Sequence, residues 1–260
     1  MLREQTFEKL HQLKLHGLAQ ALQEQLRQPE VASLSFEERL AALVDAQWLW
    51  RENRAIATRL RRAHLKQPAS LEDVNYRHPR QLDRALLRSL ASCDWVRQHH
   101  NLTITGPSGI GKSYLCCALL EKACREGFTA HYAAAAKFFR QLAIAYADGS
   151  FDRLLAQLAR IDVLAVDDWG LTPLNESERR HLLEVLEDRC GLRSTILTSQ
   201  FPVQNWHDLV GSPTLADAIL ERILSNHQEI ALQGETLRPV RKTNPDAKPT
   251  ASSKRPEEES

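Results

Sequence analysis

The pattern of apolar and polar positions divides the chain in two. Up to about residue 100 the apolar residues follow a helical period. Leu10, Leu13, Leu15, Leu18 and Leu22 recur at three- and four-residue steps, and the run breaks near Gln28-Pro29. A second helix is expected to open at Ser35, whose hydroxyl can cap the first turn while Glu38 reaches back to the cap. Leu40, Leu43, Val44 and Trp48 then form a stripe that predicts a buried face, and the helix is expected to run on to Gln67-Pro68. Residues 70–100, with Leu71, Leu82, Leu86, Leu87 and Leu90, read as a connector.

Beyond residue 101 the period switches. Short β-prone runs are expected at 102–105, 130–133, 161–166, 194–199 and 229–232, separated by helices at 112–125, 137–147, 177–189 and 215–225. Strands alternating with helices predict an α/β domain built on a parallel, doubly wound sheet. The expected organisation is a helical N-terminal domain over 1–69, the connector, an α/β domain over 101–240, and a tail over 241–260. That tail is Pro-, Lys-, Ser- and Glu-rich without apolar anchors, and is expected to be disordered.

Composition narrows the class. Hydrophobic residues make up 43% of the 260 and charged residues 26%, which excludes wholesale disorder. No apolar run is long enough to span a bilayer as a helix, and the first residues lack a signal-peptide core. The five cysteines form no C-x-x-C pair, which predicts free thiols in a reducing, cytoplasmic setting. Net charge is +1, but residues 1–100 hold 16 basic against 12 acidic side chains and residues 101–240 hold 13 against 17. The basic excess is concentrated in Arg51, Arg54, Arg59, Arg61, Arg62 and Lys66, opposed by Glu52 alone. Such a cluster predicts contact with a polyanion, here DNA phosphates; the simpler alternative is a solvated helix face.

The chemistry is carried by Gly106-Pro107-Ser108-Gly109-Ile110-Gly111-Lys112-Ser113, which fits G-x-x-x-x-G-K-[ST] between an expected strand and an expected helix. Glycines let the backbone curl so that N–H groups face phosphate oxygens at a helix N-terminus. Lys112 can neutralise the β- and γ-phosphates of ATP, and the Ser113 hydroxyl can ligate Mg²⁺. A second element, Val163-Leu164-Ala165-Val166-Asp167-Asp168, ends a strand in two carboxylates. Asp167 is placed to hold Mg²⁺ through its water shell, and Asp168 to orient or polarise the attacking water. The strand at 194–199 ends in polar residues, and Gln200 behind it is a candidate sensor of the γ-phosphate. Arg222 is a candidate arginine finger; spacing alone favours a surface salt bridge for it.

These segments, together with Leu71-Glu72-Asp73, Leu186-Glu187-Asp188-Arg189, Pro213-Thr214-Leu215-Ala216-Asp217-Ala218-Ile219-Leu220-Glu221-Arg222 and Gly234-Glu235-Thr236-Leu237-Arg238, closely resemble the IstB family of insertion-sequence helper ATPases. The resemblance runs over roughly residues 5–240. It implies an AAA+ P-loop fold related to the bacterial helicase loaders DnaC and DnaI. It implies that Arg222 is the arginine finger, that Thr198-Ser199-Gln200 is the first sensor, with Gln200 where many AAA+ proteins carry Asn, and that Tyr114 and Arg238 join the nucleotide-contacting set. The function implied is ATP-driven oligomerisation on duplex DNA and recruitment of the element's transposase. The alternative within the same fold is a replicative-helicase loader.

Overall fold

The computed structural model describes residues 2–237. Arg238 and the tail over 241–260 lie outside them.

The first leucine-rich run forms two helices, α1 (Leu2–Gln12) and α2 (His16–Gln25), rather than one. Lys14 takes a left-handed φ of 59° and turns the chain between them. Helix α3 (Phe36–Ala63) opens at Ser35 with the expected capping box: the Glu38 N–H donates to Ser35 Oγ at 3.2 Å, and the Ser35 N–H donates to Glu38 Oε2 at 2.8 Å. It ends at Ala63, earlier than expected, because His64 adopts a left-handed conformation, φ 53°. Lys66 therefore lies in the segment that follows the helix.

The expected buried stripe on α3 is also corrected. Leu43 is buried, but Leu40, Val44 and Trp48 are exposed, as is Phe36 in step with them. Helix α2 covers a neighbouring strip of α3 instead. Gly17 brings the two helices so close that a Cβ there would sit 2.5 Å from Trp50 Cβ, and buried Gln47 accepts the Leu18 N–H through Oε1 at 3.1 Å.

The rest of the chain builds around five parallel strands. These are β1 (Asn101–Thr105), β2 (Ala130–Ala134), β3 (Val163–Trp169), β4 (Ser194–Ser199) and β5 (His227–Ala231), in the order β2-β3-β4-β1-β5. Strands β1 and β4 are buried along their whole length, as strands covered on both faces must be. Alternation divides their side chains. Leu102, Ile104, Val163, Ala165 and Ile196 point into one core with α4 (Arg84–Leu90), α5 (Asp94–Arg97) and α6 (Lys112–Arg125). Leu164, Val166 and Leu197 point into the other with α7 (Ala135–Asp148), α8 (Phe151–Ala159), α9 (Glu176–Glu187), α10 (Trp206–Val210) and α11 (Pro213–Leu224). The doubly wound α/β expectation is met. The stretch 70–100 packs into the first core through Leu71, Val74, Leu87, Leu90, Trp95 and Val96. Ala63, at the end of α3, joins the same core, and Arg59 donates to the Cys124 carbonyl at 2.8 Å, so the C-terminal end of α3 is rooted on α6.

Candidate nucleotide site

The phosphate-type loop lies between β1 and α6, at the C-terminal edge of the sheet. Its glycines are conformationally required. Gly106, Gly109 and Gly111 hold φ of 140°, 81° and 102°. A Cβ on Gly106 would collide with the Leu232 carbonyl, and one on Gly111 would sit 2.5 Å from Arg80 Nη1. Gly111 caps α6 without offering a side-chain acceptor, so the first-turn N–H groups face the cradle itself. Buried Lys112 folds over the loop and donates to the Gly106 carbonyl at 2.8 Å and the Pro107 carbonyl at 3.0 Å.

Next to the loop, β3 ends in a bulge. Val166 pairs with Leu197 and Trp169 with Ser199, so Asp167 and Asp168 together oppose Thr198. Asp168 pays for the kink with a left-handed φ of 61°, which a short polar side chain tolerates. The bulge separates the two carboxylates. Asp167 turns inward and is fully buried, whereas the Asp168 side chain remains about 34% exposed. Thr198 bridges them: its hydroxyl donates to Asp167 Oδ1 and accepts the Asp168 N–H at 3.0 Å.

Three further groups converge on Asp167 Oδ2. The Tyr132 hydroxyl donates to it from β2, Ser113 Oγ lies 2.7 Å away, and Lys66 Nζ lies 3.1 Å away. Burial works against ionisation of Asp167, but the hydrogen bonds from Thr198, Tyr132, Ser113 and Lys66 outweigh it and hold the carboxyl below its ordinary range. The phenol of Tyr132 is pushed far upward, first by burial and then by this carboxylate, so it remains a donor. Ser113 and Asp167 thus place two hard oxygen ligands side by side at the mouth of the phosphate cradle, a donor set that suits Mg²⁺ completed by phosphate and water.

A cavity of about 450 Å³ opens over this edge, lined by Lys66, Asn75, Arg80, residues of the phosphate loop, Tyr114 and Asp168 among others. Arg80 is almost fully buried; it donates to the Ile110 carbonyl at 3.0 Å and to the Asn75 carbonyl at 3.3 Å, bracing the loop from behind. The Leu237 N–H closes the loop from the other side, donating to the Gly109 carbonyl at 2.9 Å.

The structure thus brings together Gly106, Ser108, Gly109, Gly111, Lys112, Ser113, Tyr114, Asp167 and Asp168. Pro107 lies in the loop with its carbonyl on Lys112, and Ile110 is buried beneath it. Gln200 follows β4 and Arg222 lies on α11; neither lines the cavity. The Arg222 guanidinium pairs with Glu187 and donates to the Ala218 carbonyl at 2.8 Å. Arg51, Arg54, Arg61 and Arg62 are exposed along α3, while Arg59 is half-buried and committed to Cys124. Lys66, grouped with them by sequence, belongs to the nucleotide site. Tyr132 and Arg80 escaped the sequence reading, because nothing local marks them. Thr198 was reached through the polar end of β4, as part of the Thr198-Ser199-Gln200 segment, but its bridge between the two aspartates was not.

A five-strand parallel sheet in this order, a glycine loop opening onto a helix and an acidic bulge on the strand two places away define a P-loop ATPase of the AAA+ type. The family model described as "IstB-like ATP binding protein" matches residues 8–245. The chain belongs to that family and is an ATPase. An insertion sequence ATP-binding protein of Sinorhizobium fredii, y4pL, is 49% identical over 238 residues, 92% of this chain and 97% of the relative. The ATP-binding protein of insertion sequence IS1162 from Pseudomonas fluorescens is 50% identical over 203 residues, 78% of this chain and 88% of that one. Among solved structures, the DnaC helicase loader superposes with a TM-score of 0.54 at 22% identity, covering 63% of this chain and 96% of its own. AMPPCP-bound DnaA from Aquifex aeolicus gives 0.53 at 20% identity, covering 64% and 51%. At these identities the likeness is one of fold.

Proposed function

We propose that this chain is the ATP-dependent DNA-binding regulator of an insertion element, acting in the bacterial cytoplasm: it assembles on duplex DNA and recruits the element's transposase. The observation that carries the reading is the combination of an ATP site with a basic helix rooted on it. The insertion-sequence names of its relatives supply the biological setting, and a DnaA of the same fold, described as bound to AMPPCP and single-stranded DNA, supplies a precedent for nucleic acid on this architecture.

In the proposed cycle, the loop N–H groups and Lys112 bind the phosphates of ATP. Ser113 and Asp167 would hold Mg²⁺, which would supply charge neutralisation to the phosphates. Asp168, on the exposed side of the bulge, orients the attacking water and takes up its proton. Arg222 serves the site of a neighbouring subunit, leaving Glu187 as it engages the γ-phosphate there. Arg51, Arg54, Arg61 and Arg62 contact DNA phosphates, and assembly repeats those contacts along the duplex so that individually weak contacts add.

The test replaces Arg51, Arg54, Arg61 and Arg62 with Glu and leaves Arg59 intact. ATP binding should be unchanged and duplex binding lost. Wild-type affinity should fall steeply with salt, with a slope steeper by about 0.9 for each phosphate contact these side chains make. Equal DNA affinity of variant and wild type at matched salt would refute the placement of DNA on this helix.

A further inference from the structure

The Lys66 ammonium stands where a divalent cation is expected. Its Nζ lies 3.2 Å from Ser113 Oγ, 3.1 Å from Asp167 Oδ2 and 3.7 Å from Asp168 Oδ2. The first two of these atoms are the proposed Mg²⁺ ligands, and the third belongs to the carboxylate assigned to the water. Ammonium and metal cannot share the Asp167–Ser113 oxygens, because two cations at ligand distance from one carboxylate repel and compete for the same lone pairs.

The backbone that presents Lys66 is fixed. His64 ends α3, Leu65 and Ala69 pack against the core, and the Ser70 carbonyl accepts from the Tyr114 hydroxyl at 3.2 Å. The Lys66 side chain itself is 45% exposed. It is a long, flexible cation on a fixed base with an open path to solvent, so it can leave the carboxylate without any rearrangement of the chain.

The geometry points to Lys66 as an intramolecular competitor of the metal: it neutralises the buried Asp167 carboxylate until a divalent cation displaces it. This inference rests on the reading of Ser113 and Asp167 as the metal ligands. It makes Lys66 a positioning residue that sets the metal requirement of nucleotide loading, distinct from Lys112, which addresses the phosphates.

The experiment measures Mn²⁺ binding by electron paramagnetic resonance at saturating ADP, comparing wild type, Lys66→Met and Lys66→Arg at matched folding by circular dichroism. Removing a competing charge-assisted contact should tighten Mn²⁺ binding in Lys66→Met by roughly five- to tenfold. Lys66→Arg keeps the charge and should stay within about twofold of wild type. Mn²⁺ binding in Lys66→Met no tighter than in wild type would overturn the inference while leaving the site assignment standing. Failure of wild type to bind Mn²⁺ with ADP would instead overturn the site assignment on which the inference rests.

Discussion

Thr198→Val tests the core of the site without touching a group assigned to the chemistry. Valine matches threonine in shape but deletes the hydroxyl. Two interactions are lost together: the donation to Asp167 Oδ1 and the acceptance of the Asp168 N–H. The first is a charge-assisted bond to a fully buried carboxylate, worth about 1.5–3 kcal/mol, and the second leaves an N–H in the bulge without its acceptor, at about 1–3 kcal/mol. Asp168 is partly exposed, so water recovers some of the second loss, and the net cost should be about 2–4 kcal/mol. With an m-value of about 2–3 kcal/mol/M, the urea midpoint should fall by about 1 M. Thr198→Ser retains the hydroxyl and should lose much less.

The effect carries a pH signature. The folded pKa of Asp167 is depressed, so its ionisation contributes stability that is fully present above the unfolded carboxylate pKa and disappears as pH falls through the lower, folded value. Thr198→Val raises that folded pKa. The stability gap between variant and wild type should therefore be widest near neutral pH and should narrow below about pH 4. Urea melts at pH 7 and about pH 3 measure both. A midpoint shift below about 0.2 M at pH 7, or a gap that widens on acidification, would refute the account of Thr198 as the bridge between the two aspartates.

Other expectations concern the reaction. Asp168→Asn keeps a residue that tolerates the left-handed backbone, so ATP should still bind while hydrolysis falls by about 10²-fold or more in a steady-state phosphate-release assay. Lys112→Ala removes the loop cation, and titration with a fluorescent nucleotide should show at least about tenfold weaker affinity. Arg222→Ala should bind ATP and hydrolyse it poorly, and mixing it with Lys112→Ala should restore part of the activity; wild-type turnover by Arg222→Ala alone would reject a role in trans.

The sheet was legible because strands buried on both faces leave continuous apolar runs, and because the loop glycines and the Val166-Asp167-Asp168 ending carry their chemistry in local order. Two helices left weaker marks. Helix α8 is only nine residues long and its N-cap residue Ser150 makes no capping bond, and α10 is only five residues long. The exposed face of α3 misled, since Phe36, Leu40, Val44 and Trp48 have the spacing of a core stripe and their exposure depends on which strip α2 covers. The expectation that Lys66 continues the arginine-bearing helix missed its position for a similar reason. Its neighbours along the chain are arginines on a helix surface, but His64 ends the helix two residues earlier and turns the lysine toward a carboxylate 101 positions away. Tyr132 and Arg80 act through tertiary convergence, which no local pattern encodes.

The rooting of α3 has a mechanical consequence. Its 28 residues make a rod about 42 Å long, held at one end by Ala63 and Arg59 and carrying α2 near the other. A rod pivoted at its base amplifies angle into distance: a tilt of about 10° at the root sweeps the far tip through roughly 7 Å. That root lies three residues from Lys66 and its contact with Asp167. The arginines proposed to meet DNA ride on the rooted half of the rod: Arg51, the farthest of them from Ala63, lies about 18 Å up the axis and moves by roughly 3 Å for the same tilt, whereas the largest sweep falls to the exposed Phe36 end.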